Sequence, residues 1–299
     1  MPLSRKIGIV LLSLLVIGLG VMLFILRDVT PDSAKPHVVA SFYPLAFLAE
    51  QIGGDDVQVT TLVPPGTEPH DFEPTAQDIA ELETSQALIL SGNGIEPWAD
   101  AFKANLANKA VVVVETGQGL GNRANDPHVW LSPKNMQTMA QRVASTLVSI
   151  DSTNAAKYQA RGDALVGRLT QLDADFSSGL ASCKSKTIIT SHAAFGYLAD
   201  AYGLEQVSIA GIDPEAEPSA QDLAELTEFA KSNDVNYIFF ETLVSPKLAE
   251  TLAAETGAQT LVLDPLEGLS DDDHAQGKDY ISVMRDNLNN LRTALECTT

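Results

Sequence analysis

The sequence predicts an α/β protein of two lobes, each a mainly parallel sheet flanked by helices, joined by one long backbone helix. Short apolar runs alternate with amphipathic helical patterns in two separate series along the 299 residues. Between the two series, residues 134–182 show helical periodicity and no strand pattern. Because alternating strands and helices are typical of parallel sheets covered by helices, we expect one such sheet in each lobe.

The first lobe is expected over residues 36–133. Its strand-like runs are VVASF, VQVTTLV, ALILSG and AVVVVET. Helical patterns such as PTAQDIAELETS and EPWADAFKANLA lie between these runs, with Pro or Ser-type residues where they start and Gly where they stop. This alternation predicts a four-stranded parallel sheet.

The second lobe is expected over residues 185–299. Its strand-like runs are TIITSH, QVSIAG, VNYIFFET and TLVLDP. They are separated by the helical patterns AAFGYLADAYG, SAQDLAELTEFAKSND and SPKLAETLAAETG. The second lobe therefore repeats the organisation of the first.

The connector, residues 134–184, carries one helical period through NMQTMAQRVASTLVSI and continues it for nearly thirty residues after Thr153, broken only by single glycines. A helix extends by about 1.5 Å per residue, so a segment of this length is a semi-rigid strut and not a flexible linker. We expect the two lobes to move little against each other.

The N-terminus contains an apolar segment long enough to cross a membrane. Residues 7–26, IGIVLLSLLVIGLGVMLFIL, are uncharged and flanked by Arg5, Lys6 and Arg27. No Cys stands at the end of this segment and no small-x-small cleavage site follows it. We therefore expect residues 1–35 to form an uncleaved anchor with its linker, placing residues 36–299 outside the cell membrane; a removed signal peptide is the alternative.

The negative charge of the chain argues against nucleic acid as a partner and would attract cations. The chain has 39 acidic and 19 basic residues and a net charge of −20. Such a body repels phosphate backbones, so we expect no nucleic-acid partner.

Two cysteines, Cys183 and Cys297, lie in the exported part, where they either pair as a disulfide or remain separate thiols.

Four residues are candidate metal ligands. They are His70 in PGTEPHDFEP, His128 in NDPHVWLSP, His192 in ITSHAAFGYL and Asp264 in LVLDPLEGL. Consecutive members are 58, 64 and 72 positions apart, so only a folded cleft between separate segments brings them to one ion. Imidazole and carboxylate ligands in four-coordinate geometry suit zinc best and related transition metals less well.

The positions of these residues along the chain support the same site. His192 and Asp264 come directly after strand-like runs, and His70 follows VQVTTLV by a short loop. Because ligands of open α/β sheets collect beyond the carboxyl ends of the strands, we expect the metal site in the cleft between the lobes. His37 and His274 are expected to be a strand-end residue and a solvated loop residue.

Catalytic signatures are missing from the sequence. It contains no GxSxG elbow, no HExxH pair and no glycine-rich phosphate loop after a strand. If Asp264 fills the fourth ligand place, the site has no open position for a hydrolytic water. We therefore predict a protein that binds a metal and is not an enzyme.

Five motifs resemble a known family. ASFYPLAFLAEQIGGD, PPGTEPHDFEPTAQD, DPHVWLSP, SHAAFGYLADAYGL and LVLDPLEGL occur in the order found in the metal-binding solute-binding proteins of ABC transporters. The resemblance extends from about His37 to the C-terminus. It implies two α/β lobes joined by a single long helix, a metal buried between them, and a monomer that delivers the ion to a permease with a cytoplasmic ATPase.

The resemblance also assigns ligands. His70, His128 and His192 fall on the family's first three ligand positions and Asp264 on the fourth. Histidine at the third position favours Zn²⁺ as the transported ion over Mn²⁺, although the segment ETGQGLGNRAND has none of the histidines that several zinc-binding members carry there. A manganese-binding protein, an adhesin-like surface protein and a metalloenzyme are the alternatives.

Overall fold

Two parallel sheets organise the computed structural model, which describes residues 35–106, 109–121 and 123–298. The first sheet has the order β2-β1-β3-β4 and consists of β1 (His37–Ala40), β2 (Gln58–Thr61), β3 (Ala87–Leu90) and β4 (Val112–Glu115). The second has the order β6-β5-β7-β8 and consists of β5 (Thr187–Thr190), β6 (Glu205–Ser208), β7 (Tyr237–Phe240) and β8 (Gln259–Val262). The predicted fold class of two α/β lobes is confirmed.

The apolar sequence of the central strands follows from helices that cover both faces of each sheet. All four residues of β3 are buried, and in the register of the sheet Val39 of β1 lies opposite Leu88. Strands buried on both faces need continuous apolar runs, which is why ALIL contains no polar residue. All neighbouring strands within each sheet are parallel, so the loops that follow them leave from one common edge.

Over its described residues the first lobe has three α-helices, α1 (Tyr43–Gly53), α2 (Ala76–Thr84) and α3 (Ala99–Leu106). Pro44 stands in the first turn of α1, where a missing N–H leaves no bond unmade. A capping box begins α2, because Thr75 accepts a hydrogen bond from the Asp78 N–H while the Asp78 carboxylate accepts one from the Thr75 N–H.

The connector consists of two helices, α4 (Pro133–Ile150) and α5 (Ala155–Gly179), packed against each other. The sequence predicted a continuous helical period here, but Asp151 interrupts it. Its carboxylate accepts hydrogen bonds from the Thr153 N–H (3.1 Å), the Asn154 side chain (2.7 Å) and the Tyr158 hydroxyl (2.8 Å). These bonds replace the helical ones over one turn. The longer helix, α5, contacts both α1 of the first lobe and the C-terminal helix.

The part of the second lobe that the structure describes has five α-helices: α6 (Gly196–Tyr202), α7 (Ala220–Ser232), α8 (Lys247–Thr256), α9 (Asp271–Ala275) and α10 (Tyr280–Ala294). Ser219 and Asp222 form a capping box at the start of α7, the same device that begins α2. Helix α6 ends at Gly203, whose φ of 66° is in the left-handed region that glycine adopts without strain.

One apolar core extends through both lobes and the connector. Its largest fully buried members include Trp130, Tyr158, Phe176, Phe239 and Tyr280. The indole N–H of Trp130, which precedes α4, donates to the Pro265 carbonyl in the loop after β8 at 2.8 Å. Because this core is continuous from one lobe to the other, a change in the angle between the lobes would disturb its packing.

Cys183 and Cys297 are joined by a disulfide that closes a loop of 114 residues. The bond ties the chain just before β5 to the end of the chain after α10, at the end of the second lobe opposite the carboxyl ends of its strands. The Thr298 N–H donates to the Ser182 carbonyl beside it at 2.9 Å.

The expected membrane anchor, residues 7–26, lies outside the described residues. Within the described part of the chain, no helix combines the length and the apolar character needed to span a membrane.

Candidate metal centre

Four side chains from four separate loops converge between the two sheets. His70 lies in the loop after β2, His128 follows β4 and precedes α4, His192 comes directly after β5, and Glu267 lies in the loop after β8. Each offers a donor atom, and all four atoms lie within 4.8 Å of one another. The structure therefore brings together the three predicted histidines, and a glutamate that the sequence did not single out completes the cluster.

The donor atoms are spaced as a small ion requires. Nε2 of His128 lies 3.2 Å from Nε2 of His70 and 3.3 Å from Nε2 of His192. The Oε1 atom of Glu267 lies 3.3, 3.1 and 3.4 Å from the Nε2 atoms of His70, His128 and His192. A tetrahedron with bonds of about 2.0–2.1 Å has edges of about 3.3 Å. The four atoms thus form a cage of the size that zinc occupies.

Water has little access to this cluster. His128 and His192 are completely buried, Glu267 is 1% exposed, and the His70 side chain is 12% exposed. Polar groups buried at this depth are costly unless they have partners, and a bound cation is a partner for all four donors at once. Among the described residues, Oε2 of Glu267 and Oε2 of Glu68 are buried and find no hydrogen-bond partner.

Carboxylates behind two of the imidazoles set their orientation. Nδ1 of His128 lies 2.9 Å from Oδ1 of Asp126, and Nδ1 of His192 lies 2.7 Å from Oε2 of Glu241. When Nδ1 carries the proton and donates it to the carboxylate, Nε2 keeps its lone pair for the metal. The Glu241 carboxylate also accepts the His192 backbone N–H at 3.1 Å, so both the ring and the main chain are held.

The charges of the site favour uptake of a cation. Burial lowers the pKa of the His192 imidazole, but its hydrogen bonds to Glu241 and Glu267 outweigh burial and raise the pKa to about 10. Burial raises the pKa of the Glu267 carboxyl, but the three imidazoles outweigh it and hold that pKa well below its usual range. Burial and the Glu267 charge raise the pKa of the Glu68 carboxyl well above its usual range. Glu267 therefore supplies the negative charge among the donors, and a metal that binds must displace protons from imidazole.

Asp264, the predicted fourth ligand, is not among the clustered donors. Its carboxylate accepts hydrogen bonds from the Thr242 hydroxyl at 2.8 Å and the Leu266 N–H at 2.7 Å. Asn287 holds its backbone, accepting from the Asp264 N–H at 2.9 Å and donating to its carbonyl at 2.7 Å. Leu266 then adopts a φ of 56°, which turns the chain so that Glu267 enters the site.

Asp264 therefore shapes the loop that places Glu267 among the clustered donors. The argument from strand ends selected the first acidic residue after β8, whereas the motif LDPLEGL contains a second one three residues later. The presence of two acidic residues in that motif was the signal from which Glu267 could have been considered.

The two contrast histidines lie away from the cluster. Nε2 of His37, at the start of β1, lies 2.9 Å from the Thr60 hydroxyl and 3.4 Å from a Glu81 carboxylate oxygen. His274 is in the short helix α9. The four donors identified above do not include either residue.

A family model described as ZnuA, the periplasmic component A of a zinc-uptake complex, matches residues 38–294. The chain belongs to the ZnuA family. The match covers both sheets and all four clustered donors, and the recognition of a zinc-type solute-binding protein of ABC transporters is confirmed.

Relatives of this ZnuA-family chain are named for zinc. The zinc-binding protein AdcA of Streptococcus pyogenes serotype M3 is 38% identical over 286 residues, covering 86% of this chain and 56% of AdcA. The chain thus spans little more than half the length of that relative. The high-affinity zinc uptake system protein ZnuA of Bacillus subtilis is 36% identical over 280 residues, covering 87% of this chain and 88% of that protein.

A solved structure of a relative has a fold similar to that of this chain. The Zn(II)-bound ZnuA-like domain of Streptococcus pneumoniae AdcA is 37% identical, with a TM-score of 0.81, and the match covers 88% of this chain and all of that domain. The two-lobe architecture is therefore shared with a domain that was crystallised with zinc.

Proposed function

We propose that this ZnuA-family chain captures one Zn²⁺ ion outside the cytoplasm and delivers it to an ABC permease for import. The observation that carries the proposal is the donor cage: four atoms from both lobes, 3.1–3.4 Å apart along five of the six edges, at the spacing of a tetrahedral zinc site. The family description and the zinc-bound relative support the same ion.

We infer that His70, His128, His192 and Glu267 are the four ligands. Two come from loops of the first sheet and two from loops of the second, so the ion lies between the lobes. We further propose that the functional units are a first lobe at 36–133, a connector at 134–184 and a second lobe at 185–299. The position of one sheet on each side of the connector supports these bounds.

Zinc suits this donor set better than manganese. Three imidazole nitrogens favour metals late in the series, where affinity rises steeply from Mn²⁺ to Zn²⁺. A four-donor cage also offers fewer donors than the six-coordinate oxygen shells typical of manganese. Mn²⁺ is therefore expected to bind, but more weakly.

The same geometry supports a carrier over an enzyme. A catalytic zinc site keeps one position open for water, whereas here four protein donors account for a complete tetrahedron. The cluster is also buried, which prevents a substrate larger than an ion from reaching the metal. The protein is therefore proposed to hold and release the ion unchanged.

Partner and location are part of the proposal. The family to which this chain belongs is described as component A of a zinc-uptake complex, and this description supports a permease and an ATPase as partners. We propose that residues 7–26 anchor the chain at the outer face of the cell membrane and that it acts as a monomer. Intact-mass analysis of the membrane fraction tests the anchor, since an N-terminus near residue 30 would show that the segment is removed.

Zinc binding is tested on the detergent-solubilised full-length chain after removal of metal with EDTA. We expect one zinc ion per chain and an increase in melting temperature on the order of ten degrees at about 1,000 times the dissociation constant. Competition with Mn²⁺ in the same titration decides the preferred ion. The absence of a thermal shift with zinc, or a preference for manganese, would contradict the proposal.

A further inference from the structure

The loop that leads to His128 reaches across to the second lobe through one arginine. Arg123 lies in the segment between β4 and His128, and its Nη1 atom is 3.0 Å from both carboxylate oxygens of Asp200 in α6. Its Nε atom lies 3.3 Å from Oδ2 of Asp126. One guanidinium therefore joins a carboxylate of the first lobe to a carboxylate of the second.

Asp126 uses its other oxygen to hold a metal-site histidine. Oδ1 accepts the His128 backbone N–H at 3.0 Å and faces Nδ1 of the ring at 2.9 Å, while Oδ2 faces Arg123. The Asp126 side chain is 4% exposed, so its charge needs a partner that water cannot supply. Arg123 provides that partner and holds the carboxylate in place behind His128.

The start of α6 packs directly on this pair. A Cβ atom at Gly196 would lie 2.6 Å from Oδ2 of Asp126, so only glycine allows the helix this close. The next residue, Tyr197, donates its hydroxyl hydrogen towards the Asp126 carbonyl at 3.2 Å and the Arg123 carbonyl at 3.4 Å. The segment that begins at His192 therefore holds the segment that ends at His128.

We propose that Arg123 is a positioning residue that couples the contact between the lobes to the orientation of His128 and thereby slows release of the bound ion. The inference rests on the proposed zinc-binding function and deepens it. While Arg123 joins Asp200 to Asp126, the imidazole of His128 is fixed towards the ion from both lobes. When that link opens, Asp126 loses its cation and His128 loses its fixed orientation.

The segment ETGQGLGNRAND contains both Arg123 and its first-lobe partner Asp126. Its one basic residue, Arg123, makes both links. The planar guanidinium can bind two carboxylates through separate nitrogens, which a lysine ammonium on a flexible chain does less well.

The test measures zinc dissociation from the full-length chain with a chelator in stopped flow. Loss of groups that orient a metal ligand typically weakens binding about 10–100-fold, so we expect Arg123→Gln to speed dissociation by about that factor with little change in the association rate. Asp200→Asn removes only a partly exposed partner, and we expect about a two- to fivefold increase. Arg123→Lys, which keeps the charge, should recover part of the loss.

Arg168→Gln is the matched control. Arg168 is a similarly exposed arginine that links Gln51 of α1 to Asp279 before α10 through hydrogen bonds of 2.8 and 3.0 Å, but it touches no residue that orients a ligand. We expect its zinc kinetics to equal those of the unmodified chain. The visible absorption spectrum of the Co²⁺-loaded protein provides a second measurement, since it reports the ligand geometry that His128 sets.

The outcomes separate the coupling from the binding function. If the unmodified chain binds no zinc, the proposed function fails. If it binds zinc but Arg123→Gln dissociates at the unmodified rate with an unchanged Co²⁺ spectrum, the coupling is wrong and the function stands. Should Arg123→Gln fold poorly, Asp200→Asn decides alone, and dissociation indistinguishable from that of Arg168→Gln would overturn the coupling.

Discussion

Replacing Glu267 by glutamine tests how much the negative charge of the fourth clustered donor contributes to zinc binding. The Oε1 atom lies 3.1–3.4 Å from three imidazole nitrogens, so the substitution alters the one anionic donor while keeping the size of the side chain. Four-ligand zinc sites in small peptides bind with about 10–16 kcal/mol in total, or about 2.5–4 kcal/mol per ligand. We therefore expect Glu267→Gln to weaken zinc binding by about 10²–10³-fold.

The weaker binding should also appear as lost thermal stabilisation. At a fixed excess of zinc, a decrease in affinity of that size removes about 2.7–4.1 kcal/mol of the free energy of unfolding. For a chain of this size the loss corresponds to a decrease of roughly 5–15 °C in the zinc-bound melting temperature. Chelator competition measures the affinity, and calorimetry with and without zinc measures the shift.

Asp264→Asn is the control for this prediction, because Asp264 holds the same loop without contributing a clustered donor. The asparagine side-chain oxygen still accepts the Leu266 N–H, so the loop keeps this hydrogen bond, and we expect the zinc affinity to decrease by about tenfold at most, the lower end of the range for groups that support a ligand. A loss with Asp264→Asn as large as that with Glu267→Gln, or no loss with Glu267→Gln, would refute the ligand assignment.

Three further predictions concern pH, the disulfide and the core. The pKa of His192 is raised to about 10 in the metal-free protein, so the stability that its protonation adds is complete below its unfolded pKa of about 6.5 and is lost as pH rises towards 10. Zinc affinity should increase over the same range, because the metal competes with protons for the imidazole. Thermal unfolding and zinc titration from pH 6 to 10 should show these opposite trends, and a His192→Ala variant should weaken the stability trend. Replacing Cys183 and Cys297 by serine should lower the free energy of unfolding by about 4–5 kcal/mol in denaturant titrations, while changing zinc affinity less than threefold because the disulfide lies at the far end of the second lobe. Trp130→Phe removes the hydrogen bond to the Pro265 carbonyl and should cost about 1–3 kcal/mol in unfolding free energy, and unchanged stability would show that the bond does not hold the loop before Glu267.

Local patterns were sufficient to predict the fold and three of the four clustered donors. The central strand β3 is apolar throughout because both faces of its sheet are covered, and this leaves a signal that needs no knowledge of the neighbours. Histidine is rare in the chain, and the positions of His70 and His192 beyond strand-like runs already indicated a shared cleft. The resemblance to a known family strengthened the same conclusions.

Tertiary contacts decided what local patterns left open. The helical period of the connector continues through Asp151, and only the hydrogen bonds of that carboxylate show where the chain turns back. Likewise the sequence does not show that Arg123 meets Asp200, because the two residues are brought together by the contact between a loop of one lobe and a helix of the other.

The fourth donor shows most clearly what the sequence predicts and what only tertiary contacts decide. Asp264 and Glu267 are both acidic, both follow β8 and lie three residues apart, so sequence position favoured the one nearer the strand. In the folded chain Thr242 and Asn287, from distant segments, bind Asp264, and the left-handed turn at Leu266 sends the next carboxylate inward. Residue types and strand ends determined that a carboxylate would meet the three histidines; which one does so depends on hydrogen bonds between segments that only the tertiary structure brings together.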